Sequence, residues 1–162
     1  MNGSPEHRAM LRTALMALAP ELDAFCRDPW YVIGSAAAAL HGAPLAPADI
    51  DLLTSRRDAE AAMQHWADRR EEAYAPADGH RFRSRFARFR FEPLPVEVMG
   101  DLEVHGEAGW RPLRIAAWVD LGEDGQCLRV PTREALRCIL HAFGRPKDLE
   151  RAVLLAGLPE GA

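Results

Sequence analysis

The chain has 162 residues, 48 % of them hydrophobic and 27 % charged, with 20 Lys and Arg against 24 Asp and Glu and a formal net charge of −4. That length suits one ordinary domain with a real core and is short for two, and the composition excludes the low-hydrophobicity signature of disorder. A net negative charge removes any global electrostatic reason for nucleic-acid or membrane binding, and nothing approaches the roughly 20 apolar residues of a membrane span.

The first ten residues mix acids and bases and lead into no uninterrupted apolar run, unlike a secretory signal. From His7 to Phe25 apolar residues recur at three and four, the period of an amphipathic helix, with Pro20 expected to begin a second helical segment. Trp30 to Gly34 is a short aromatic and β-branched strand ending at glycine, and Ser35 to Gly42 an alanine-rich helix stopped by glycine. Two prolines make Ala43–Ala48 a loop; Asp49–Thr54 alternates acid with apolar residue as a second strand, and Arg57–Arg70 reads as helix. His80–Phe91 is the strongest strand signal. Its phenylalanines change parity between Phe86 and Phe89, which predicts a bulge near Ala87. After a bend at Pro93–Pro95, Val96–Gly100 resumes as a strand with an expected antiparallel partner. One or two more strands are expected between Trp110 and Val130, with a turn at Glu123–Gly125. Thr132 is the expected N-cap of a helix that Gly144 stops, and Pro146 the first residue of a last helix to Leu155. The expected domain is single, spanning 1–162, with its core at 28–130 and C-terminal helices at 132–157. Cys26, Cys127 and Cys138 are odd in number and far apart, as free thiols of a cytoplasmic protein would be.

Asp49 and Asp51 stand two apart on one strand, so both carboxylates face the same way, with Cα atoms about 6.5–7 Å apart, and converge on a hard cation. Glu97, between two valines on a neighbouring strand, completes a cluster suited to one or two Mg²⁺ ions. Gly34 and Ser35 lie where a strand passes into a helix, and free backbone N–H groups at such a turn hold phosphate. Lys147 is the sole lysine and lies in the first turn of the last helix, where a positive charge opposes the dipole, either because it meets an anion or acid such as a triphosphate or as half of a solvated pair with Asp148. Arg81, Arg83, Arg85, Arg88 and Arg90 interleave with phenylalanines, either as the wet side of a strand or as a grip on RNA phosphates. His41 and His141 sit in apolar helical surroundings and read as structural.

Ile33-Gly34-Ser35, followed after a short helix and loop by Asp49-Ile50-Asp51-Leu52, resembles the signature of the nucleotidyltransferase superfamily. Within it, Ala39-Leu40-His41-Gly42, Val96-Glu97-Val98 and Gly144-Arg145-Pro146-Lys147-Asp148 are similar to the abortive-infection (AbiEii-like) and minimal bacterial nucleotidyltransferases, many of them toxin–antitoxin partners. The resemblance implies an α+β fold, a mixed β-sheet flanked by helices with an N-terminal helix and a C-terminal helical pair. It further implies transfer of a nucleoside monophosphate from an NTP to an acceptor, RNA, protein or small molecule. Asp49, Asp51 and Glu97 would be catalytic and would hold Mg²⁺ or Mn²⁺, with Asp51 or Glu97 the base, while Gly34, Ser35 and Lys147 would hold the NTP. The loop Pro44–Asp49 lacks the arginine and threonine common in the family. A catalytically impaired binding module, in a toxin–antitoxin pair, is the alternative that this loop opens.

Overall fold

A computed structural model describes residues 3–160, and its elements follow the hydrophobic pattern closely. Helix α1 (Pro5–Phe25) starts at Ser4, whose hydroxyl accepts from the His7 N–H, and buries Leu11, Leu15, Leu18, Ala19 and Leu22 on one face. Pro20 starts no new segment: α1 runs through it, with Pro20 on the exposed side where water can serve the carbonyl its missing N–H leaves free. Strand β1 (Tyr31–Ile33) leads directly into α2 (Gly34–Leu40), a helix buried along its whole length. Its four consecutive alanines let the neighbouring elements approach on every side.

Strand β2 (Ile50–Thr54) is followed by α3 (Arg56–His65), which Ser55 caps by accepting from the Asp58 N–H. The helix ends five residues before the expected Arg70 because Trp66, 3 % exposed, turns into the core to meet Phe25, Phe89 and Phe91 edge-on. Strand β3 (Phe82–Phe89), the long β4 (Val96–Gly106) and β5 (Gly109–Pro112) then form a meander. A two-stranded ribbon, β6 (Trp118–Asp120) with β7 (Arg129–Pro131), precedes α4 (Arg133–Phe143) and α5 (Pro146–Ala156). Thr132 caps α4 and Gly144 ends it at φ 72°, as expected of an N-cap and a left-handed stop.

The main sheet is mixed, in the order β1-β2-β4-β3, with β5 on the distal half of β4. β2 and β4 are parallel, and every other pairing is antiparallel. The irregularity in β3 falls between Arg83 and Arg85, not at Ala87. No parity switch is needed there, because both faces of the sheet are covered. Ala87 and Phe89 join Val32, Leu52, Val96 and Val98 in the main core with α1, α2 and α3. Ile33, Leu53 and Leu102 pack on the other face with Ile139 and Phe143 of α4. Among the described residues no helix is long and apolar enough to cross a membrane, and the three cysteines are free thiols.

Candidate metal and nucleotide site

Register builds the site. Asp51 is paired with Ile33 on one side and Glu97 on the other, and Glu97 is paired in turn with Arg88 of β3. Directly opposed residues on adjacent strands point to the same face, so Asp51, Glu97 and Arg88 form a row across three strands. Asp49, two residues before Asp51, joins the same face. One carboxylate oxygen from each of Asp49, Asp51 and Glu97 lies within 4.8 Å of the others, close enough for a shared cation.

Gly34 makes this approach possible. It has φ 67°, and a Cβ placed there would lie 2.7 Å from the Asp51 Oδ2. A side chain at this position would meet both the backbone penalty of the left-handed region and a collision with the acid. Asp51 is half-buried as a residue, yet its Oδ1 is sealed from solvent and has no hydrogen-bond partner. Burial pushes the Asp51 carboxyl well above the usual range, and the charges of Asp49 and Glu97 push it further, while Arg151 pulls the other way. Glu97 is also raised by burial, against the opposing hydrogen bond from Arg88. An unpartnered buried carboxylate oxygen among other acids is the environment a divalent cation satisfies.

The row opens on a cavity of about 460 Å³. Its lining includes Ser35 beside Asp51, the cationic side chains Arg145, Lys147 and Arg151 of the α5 start, and an aromatic part with Phe82 and Phe86. Ser35 is 6 % exposed, makes no capping bond to α2 and lines the cavity. Lys147 is exposed and reaches the cavity as well.

Three arginines escaped the sequence reading of the site. Arg88 looked like one of a solvated stripe, but shares the parity of Phe86 and so faces the acids. Its Nη1 lies 2.8 Å from Glu97 Oε2 and 3.7 Å from Asp49 Oδ2. Arg145 and Arg151 are held by Asp148, which has no exposed side-chain surface: Arg145 donates to it through Nε at 2.6 Å and Nη2 at 3.0 Å, and Arg151 Nη1 stands 3.6 Å away. The rest of the arginine stripe is engaged within the chain. Arg81 donates to the Phe143 carbonyl, Arg83 to Glu103, Arg85 to Glu60 and Arg90 to the Asp68 carbonyl. His41 meets the Pro131 carbonyl at 2.7 Å, a structural contact, and His141 is exposed on α4.

A sheet of this order, with a short helix after β1, carboxylates on β2 and β4 and a closing helical pair, is the arrangement of a nucleotidyltransferase fold. Superposition on solved structures agrees: a Thermotoga maritima protein provisionally assigned as a nucleotidyltransferase matches with a TM-score of 0.68, 22 % identity and 91 % of each chain covered. Comparison with protein-family models and with curated proteins finds no match.

Proposed function

We propose that the chain is a divalent-metal-dependent nucleotidyltransferase. The observation that carries this reading is the convergence of Asp49, Asp51 and Glu97 within 4.8 Å beside a cavity whose lining also holds Arg145, Lys147 and Arg151. Acids for a cation and bases for a polyphosphate thus share one space, as transfer from an NTP requires. Asp49 and Asp51 would hold Mg²⁺ or Mn²⁺, which when bound neutralises charge on the phosphates. Lys147 and Arg151 attract the triphosphate, and Ser35 and the Gly34 turn offer it a hydroxyl and backbone N–H groups. Glu97, whose carboxyl is raised by burial, takes the proton of the acceptor hydroxyl. The acceptor oxygen bonds to the α-phosphorus as the bond to the β-phosphate oxygen breaks, and pyrophosphate leaves in line.

Two observations favour a second reading. Glu97 is engaged by Arg88 at 2.8 Å, and the loop before Asp49 carries Leu45 and Pro47 where the family commonly has polar residues. A nucleotide-binding module without turnover fits both. Incubation with each α-labelled NTP, Mn²⁺ and a lysate or total RNA separates the two readings. Label on an RNA or protein, lost in Asp49→Ala, supports the enzyme; metal-dependent binding without transfer supports the module; neither binding nor transfer overturns both.

A further inference from the structure

We infer that Arg88 is a built-in second cation of the acidic cluster, so that the site takes a single divalent ion where three converging carboxylates would otherwise bind two. This rests on the metal-binding reading above and specifies its stoichiometry.

Three carboxylates on one sheet face carry three negative charges. One divalent ion and one guanidinium set three positive charges against them, with Arg88 also facing the Glu71 carboxylate on its far side. The guanidinium is in place: Arg88 Nη1 lies 2.8 Å from Glu97 Oε2 and 3.7 Å from Asp49 Oδ2, against two of the three acids. Two-metal sites hold their ions about 3.5–4 Å apart on shared carboxylates, and a second ion here would compete with this nitrogen for Asp49 and Glu97. Unlike a metal, the guanidinium cannot dissociate, and arginine does not lose its proton in proteins.

Arg88 is also fixed from behind. Its Nε stands 3.2 Å from Glu71 Oε2, an ion-pair contact without hydrogen-bond geometry, its guanidinium lies over the Tyr74 ring at 4.5 Å, and its backbone carbonyl accepts from the Glu71 N–H. The row Asp51–Glu97–Arg88 is set by strand register, so Arg88 cannot leave the acids without breaking the β3–β4 pairing or swinging past Tyr74. The unpartnered acceptor is on the other side of Glu97, at the buried Asp51 Oδ1. Asp49 and Asp51 would hold the single ion there.

The test counts Mn²⁺ bound per chain without nucleotide, by electron paramagnetic resonance of the free ion and by calorimetry, with circular dichroism reporting the fold. The wild-type chain is expected to bind one ion, Arg88→Lys one, and Arg88→Met two. Arg88→Gln, which keeps a donor toward Glu97 while removing the charge, is also expected to bind two and replaces Arg88→Met if that variant does not fold. Two ions in the wild-type chain, or one in the neutral variants, overturns the inference and leaves the metal-binding reading standing. No Mn²⁺ bound by the wild-type chain overturns that reading and this inference with it.

Discussion

Asp51 concentrates the physical tension of the site. It is a carboxylate with a sealed, unpartnered oxygen, pressed by two other acids and approached so closely at Gly34 that only glycine fits. Its raised pKa has a definite consequence for stability. A group with an elevated folded pKa binds its proton more tightly in the native state. The metal-free protein therefore loses stability as pH rises above the unfolded carboxylate value of about 3.9, and the loss is complete once the folded pKa is passed. Asp51→Asn removes the charge while keeping the shape. At neutral pH without metal it is expected to raise the melting temperature, by about 2–4 °C for each kcal/mol of repulsion relieved, and to flatten the decline between pH 4 and neutrality. Thermal scans across that pH range in EDTA decide it; a wild-type pH profile shared by Asp51→Asn would show that the acid is relaxed.

At the scale of elements, the start of α5 does more than end the chain. Asp148 lies at the third helical position, accepts from the Arg145 N–H at the N-cap, and takes the Arg145 guanidinium through both carboxylate oxygens. Arg145 also reaches Asp78 at 3.2 Å, which ties the segment before β3 to α5 across the cavity lining. Removing one partner of a buried ion pair leaves the other uncompensated and costs about 3–5 kcal/mol. Asp148→Ala is therefore expected to lower stability by roughly 3 kcal/mol, read as a drop in urea midpoint. Asp148→Asn, which keeps an acceptor, should cost less. Equal loss in the two variants would mean that packing, not the arginine contacts, sets the cost. The arginines show why element-level patterns mislead about function: in and beside β3 they interleave with phenylalanine as a wet strand face would, yet every one from Arg81 to Arg90 has a partner within the chain.

For the whole molecule, the site is a junction of β2, β4, β3 and α5, so a ligand that bridges them should stabilise the entire fold. Mg²⁺ and NTP together are expected to raise the melting temperature by more than the sum of their separate shifts, with about 2.7 kcal/mol gained at 100 times the dissociation constant. Additive or absent shifts in a thermal melt would show that acids and bases do not share one ligand. What the sequence determined by itself was the set of parts. The caps at Thr132 and Gly144, the strand–glycine–helix unit around Gly34 and the paired aspartates were legible because they are local, written in spacing and residue type over a few positions. Glu97 was expected beside the aspartates from its place between two valines on a neighbouring strand, and the family resemblance pointed to the same acid. Only the tertiary structure decided which residues face those acids. Arg88, Arg145 and Arg151 reach the site through strand register and helix packing across long sequence separations, and side-chain alternation along a single strand cannot say which face its neighbours will cover.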